Sequence, residues 1–221
     1  MKHTQAGFTL VEIAIVLVII GLLLGGILKG QEMITQAKIK NAIADFSGIS
    51  AAYHGYQDRY RAIPGDDPNA ATRWAGSTSG NGDGQIEGHY NSATATDESR
   101  LWWEHLRRAG FLSGTGTGQP FNAVTGLVGV QTGEGDPPPA VDFVLGSDAS
   151  GTGGFASLIV CSANLPDKIA VAVDTQMDDG VPVSGSVRAQ LQSAPNPPIG
   201  HQAAATYAET GTNIYTLCTS L

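Results

Sequence analysis

The hydrophobic pattern changes character partway along one long stretch of predicted helix. From Phe8 to Leu28, 21 residues run apolar, with polar side chains only at Thr9 and Glu12. A helix over that run spans about 31 Å, the thickness of a bilayer's hydrocarbon core. Further on the pattern becomes one-sided. Ile39, Ala42, Ile43, Phe46, Ile49, Tyr53, Tyr56 and Tyr60 recur at spacings of three and four, the signature of an amphipathic helix. The spacing predicts a single helix to about residue 60, ended by Pro64–Gly65. Its first half is apolar all round and suits a membrane; its second half needs a globular core to lie against.

After the helix the pattern breaks up. Residues 61–96 read as a long loop, and "DESRLWWEHLRRA", 97–109, as a second helix. Asp97 stands where a cap belongs, acids fill the first turn, Arg107–Arg108 the last, and Gly110 follows as a stop. Leu101, Trp102, His105 and Leu106 share a core-facing side, although the Trp102–Trp103 pair also fits an exposed binding patch. Beyond residue 120 the pattern predicts strands at 123–131, 140–146, 155–162, 168–174, 185–191 and 212–218, divided by Gly/Pro turns. The expected class is α+β: a long N-terminal helix with an antiparallel sheet laid on its apolar face.

Composition narrows this picture. The 221 residues carry a formal charge of −8 with a pI near 4.9. No basic stripe is present to neutralise phosphates, which argues against a nucleic-acid binder. The 29 Gly and 11 Pro fit a loop-rich, exported head. Cys161 and Cys218, 57 positions apart, either pair in an oxidising compartment or remain buried thiols.

The start of the chain decides which membrane segment this is. A secretory signal has a shorter apolar core with small residues at a cleavage site after it; here the small residue, Gly7, comes before the core. Glu12 is the anomaly, since a carboxylate at that depth in lipid costs about 2.5–3.5 kcal/mol. The stretch G-F-T-L-V-E, residues 7–12, behind the short leader MKHTQA, resembles the prepilin signal of type IV pilins and type II secretion pseudopilins. The resemblance implies cleavage between Gly7 and Phe8 by prepilin peptidase and N-methylation of Phe8. It also implies a role for Glu12 in assembly. A buried carboxylate paired with a cation is no longer so costly, and Glu12 of one subunit could meet the Phe8 amine of the next. The alternative is a glutamate near the interface that snorkels or is protonated. Positive charge does not settle topology, because Lys2 precedes the run while Lys29, Lys38 and Lys40 follow it.

The resemblance further implies a division into a cleaved leader at 1–7, a transmembrane and filament-core helix at 8–30, an amphipathic continuation at 31–60 and an α+β head of the pilin type at 61–221. Partners would be other copies of the chain, prepilin peptidase, the pilus or type II secretion assembly machinery, and the inner membrane before assembly. The expected location is the bacterial inner membrane, then an extracellular filament or a periplasm-spanning pseudopilus. The function implied is structural, in a type IV pilus-like filament. The alternatives are a pseudopilin of a secretion or DNA-uptake system, or a membrane-anchored module that binds calcium or a surface.

Other chemistry is sparse. "SGNGDGQIEG" partly matches a calcium loop through Asn81, Asp83 and Gly84, with Ile86 at the apolar position and Gln85 a further candidate ligand, but Ser79 and Tyr90 stand where an EF-hand needs carboxylates. Asp66, Asp67, Glu87, Asp97 or Glu98 could complete such a site, and Asp174, Asp178 and Asp179 form a second acidic turn. Asn-Gly and Asp-Gly pairs are also ordinary turn formers. No G-x-S-x-G, Walker loop or H-E-x-x-H occurs, and His3, His54, His89, His105 and His201 have no ligand spacing. No enzyme activity and no required cofactor are expected.

Overall fold

In the computed structural model, which describes residues 9–133 and 143–221, the chain opens on helix α1, Leu10–Tyr60. Two compact units follow one another, Met1–Lys38 and Ile39–Leu221. In the first, the large apolar side chains from Leu10 to Ile34 are 46–87% exposed. In the second, the predicted face of α1 is buried at Ile39, Ala42, Phe46, Ile49, Tyr53 and Tyr56 and partly buried at Ile43 and Tyr60, and Ala52 is buried with it. Burying side chains such as Phe46 and Ile49 stabilises the fold by about 1.5–3 kcal/mol each.

The rest of the second unit is α+β. In order come α2, Ala70–Arg73; α3, Glu98–Arg108; β1, Val128–Thr132; β2, Leu158–Pro166; α4, Asp167–Met177; β3, Val187–Leu191; and β4, Ile214–Ser220. The strands form one antiparallel sheet in the order β1-β2-β4-β3. Alternation along the strands gives the sheet two buried faces. Val128, Val130, Val160 and Leu217 join the α1 face, Trp102 and Leu106 in the main core. Ile159, Cys161, Ala163 and Cys218 point the other way, into a second cluster with Tyr90, Leu145 and Phe155. By parity Leu165 belongs with the second cluster. A register shift between Ser162 and Leu165, with Asn164 at φ 57°, returns it to the main core.

Several strand expectations change. Residues 168–174 lie in helix α4: Ile169, Val171 and Val173 alternate like a strand, but Ile169, Ala170 and Val173 also share a helical face, and that face is the one buried. The segment read as 123–131 becomes a strand only at Val128. Before it, Asn122 Oδ1 accepts the Val124 and Gly126 amides and holds a turn with Thr125 at φ 63°. The strand read at 155–162 starts at Leu158 and runs on to Pro166. Of 140–146, residues 140–142 lie outside the described residues, and the remainder makes only isolated bridges, Val144 to Phe155 and Gly146 to Gln202. The loop read at 61–96 contains the single turn α2. Asp97 sits at the α3 N-cap position without capping it, its carboxylate taking the Ser92 hydroxyl at 2.5 Å. Trp102 and Trp103 are both fully buried, so α3 presents no tryptophan patch.

Candidate functional site

Gly7 and Phe8 lie outside the described residues. The residues just after them are ordered into a capping box. Thr9 Oγ1 donates to Glu12 Oε2 at 2.7 Å, the Thr9 amide donates to the same oxygen at 2.8 Å, and the Glu12 amide reaches Thr9 Oγ1 at 3.3 Å. The Glu12 carboxylate thus satisfies the Thr9 amide and Thr9 Oγ1 the Glu12 amide, two backbone donors that a helix start leaves unpaired. The T-x-x-E spacing at 9–12 announces this box, and Thr9 is the residue that a reading centred on Glu12 passes over. α1 meets the length and hydropathy needed to cross a membrane.

The first acidic loop is folded around its own backbone. Asp66 accepts the amides of Gly82, Asp83 and Gly84, the last at 2.8 Å. Glu98, at the start of α3, accepts Asn81 N at 3.0 Å and Glu87 N at 3.1 Å. Asn81 Oδ1 takes the Asp83 amide, and Asp83 Oδ1 takes the Gln85 amide, each at 2.9 Å. Asp67 is fully buried and bonded to Tyr56 Oη at 2.6 Å, to the Asn69 amide and to Arg73. The Asp66, Asp67, Asn81 and Asp83 oxygens hold the loop's own groups, while Gln85 Oε1 is buried without a hydrogen-bond partner. Burial pushes the Glu98 carboxyl up to about 7 and raises Asp66; repulsion from Asp66 and Glu87 adds to the first, and repulsion from Asp83 to the second.

His105 pins the same loop from α3. Its Nδ1 accepts the Gly65 amide at 2.9 Å, which leaves Nε2 to donate to Thr78 O at 2.8 Å, the neutral tautomer. Burial holds its pKa below the usual histidine value.

The second acidic turn is likewise bonded to its own chain, with Asp174 Oδ1 accepting the Gly180 amide, Asp178 Oδ2 the Ser186 and Val187 amides, and Asp179 Oδ1 the Val181 amide. Asp174, Asp178 and Asp179 each place a carboxylate oxygen within 4.8 Å of the others. Asp174 is buried, accepts Tyr207 Oη at 2.6 Å and is raised chiefly by burial. Three hard oxygen donors this close suit a hard divalent cation such as calcium. Cys161 and Cys218 are directly opposite each other on β2 and β4 and are joined as a disulfide.

Fold and site together define a protein whose helix, long and apolar enough to cross a membrane, precedes a disulfide-bridged α+β head. Residues 2–28 match the family model of the prokaryotic N-terminal methylation motif, the type IV pilin and pseudopilin signature. The pilin and pseudopilin family that carries this signature is a structural one. No curated protein and no solved structure matches the chain.

Proposed function

We propose that this chain is the subunit of a type IV pilus-like or pseudopilus filament, cut between Gly7 and Phe8 by prepilin peptidase and polymerised through α1. The observation that carries this reading is the first unit of α1. Its apolar side chains are exposed all round from Leu10 to Ile34, and as far as residue 28 they belong to the methylation motif itself. Such a surface needs lipid before assembly and other helices afterwards. The subunit waits in the inner membrane with its N-terminus on the cytoplasmic side, then moves into a filament outside that membrane. In the filament, Glu12 of one copy exchanges part of its Thr9 contacts for the Phe8 amine of the next, which neutralises two buried charges and sets axial register. A calcium ion at Asp174, Asp178 and Asp179 belongs to this proposal as a stabiliser of the turn after α4.

The test is the N-terminus and intact mass of the protein from its native cells. A chain that starts at N-methylated Phe8 and appears in sheared extracellular material is expected. A start at Met1, or a cut after the apolar run, would overturn the reading.

A further inference from the structure

A groove of about 360 Å³ lies between α1, α3 and the segment 111–121. Ala44, Asp45 and Gly48 of α1 form one wall, and Trp103, Arg107 and Phe121 face them. Its charged groups, exposed Asp45 and half-buried Arg107, form no ion pair with each other. Asp45 has no hydrogen-bond or ion-pair partner among the described residues, and desolvation by the groove raises its carboxyl pKa. Arg107 spends one Nη on Gly116 O at 2.7 Å, while its Nε is buried without a partner. Phe121 is 67% exposed beside them. A Cβ placed on Gly48 would meet nothing within 4 Å, so the Ala44–Gly48 edge is open to the close approach of another helix.

The first unit of α1 carries the complementary features. Gly26 and Gly30, one turn apart, also have open space around them. Beside them Lys29 and Glu32 pair with each other at 2.7 Å, with side chains 68% and 61% exposed, and Met33 is 64% exposed. An exposed pair of this kind contributes about 0–1 kcal/mol, so its partners are readily exchanged. A chain of charge −8 repels its own copies at long range. Specific opposite-charge contacts are therefore needed where copies meet.

We propose that this groove is an interface between copies of the chain, filled by the Gly26–Met33 segment of α1 from a second copy, with that copy's Lys29 on Asp45 and its Glu32 on Arg107. Small residues meet across the Ala44–Gly48 and Gly26–Gly30 edges, and Met33 covers Phe121. The proposal rests on the filament reading and adds to it a specific head-to-helix contact.

The experiment is a charge swap in the full chain, expressed in its native cells. Asp45→Lys or Lys29→Asp alone is expected to cut sheared filament by about tenfold, with membrane subunit level and processing unchanged. The double variant is expected to recover yield to within about twofold of wild type. Melting of the head, followed by tryptophan emission, controls for misfolding. In parallel, Gly30→Cys with Gly48→Cys should give a ladder of cross-linked chains on treatment with a mild oxidant. Single variants that assemble normally, a swap without rescue, or an absent ladder would overturn the contact. If the wild type makes no filament, the filament reading fails by itself, and the groove is decided in the membrane fraction: a ladder there sustains it and its absence overturns it.

Discussion

Thr9 and Glu12 close a ring of hydrogen bonds at the first turn of α1, and that ring changes how a glutamate in an apolar run is understood. Part of the carboxylate's cost is offset within its own subunit before any neighbour arrives. Cap and charge can be separated, because glutamine also serves in a capping box. Glu12→Gln is therefore expected to leave processing and membrane insertion intact while filament yield collapses; wild-type yield would mean that the cap alone matters. A second residue-scale expectation concerns Glu98. Its folded-state pKa of about 7 lies above the ordinary 4.5. Between those values the folded state holds a proton that the unfolded chain has lost, so this group's contribution to stability falls as pH rises from 4.5 to about 7. Asp66 and Asp174 shift in the same direction, whereas His105, held below 6.5, loses stability as pH falls. In thermal melts across that window Glu98→Gln is expected to flatten the pH slope; an unchanged slope would remove Glu98 as its source.

Elements show where local pattern yields to packing. α4 carries β-branched residues in strand-like alternation, yet its helical face is the one that finds a core against β2, β3 and β4. Local propensities differ by less than about 1 kcal/mol per residue, so burial decides such cases. The bulge after Ser162 is equally invisible to alternation alone, because it reverses which face Leu165 serves. The disulfide ties β2 to β4 on the sheet face away from α1. In the chain-entropy picture, a closed loop of 57 residues stabilises the head by about 4 kcal/mol. The turn after α4 supplies the element-scale prediction. Calcium is expected to raise the melting temperature of the full chain relative to a chelator, and Asp179→Asn to abolish the rise. An equal melting temperature in both conditions would remove calcium from the proposal.

At the scale of the whole molecule, the division at Lys38 and Ile39 predicts two separable classes of substitution in one helix. Phe46→Ala, in the main core, is expected to destabilise the head by about 3–5 kcal/mol. Leu17→Ser, where the side chain is 63% exposed, should leave head stability unchanged. Denaturant unfolding in detergent, read by Trp74, Trp102 and Trp103, checks both; all three tryptophans lie in the second unit. Equal effects would mean that the two halves of α1 unfold together. The apolar run, the amphipathic face and the cleavage motif were legible in the sequence because each is local: a helix repeats its face every three or four residues whatever it packs against. Cys161 and Cys218 were visible as a possible pair, but only strand register brought them opposite each other. The acidic groups were visible as residues and not as an arrangement. Asp66 and Glu98 hold amides 11 to 18 positions away, while Asp174, Asp178 and Asp179 each bring a carboxylate oxygen within 4.8 Å of the others. The groove that joins Asp45 to Arg107 belongs wholly to the tertiary structure. Its walls come from segments far apart in the chain, and only the burial of α1 and α3 in a common core sets them face to face.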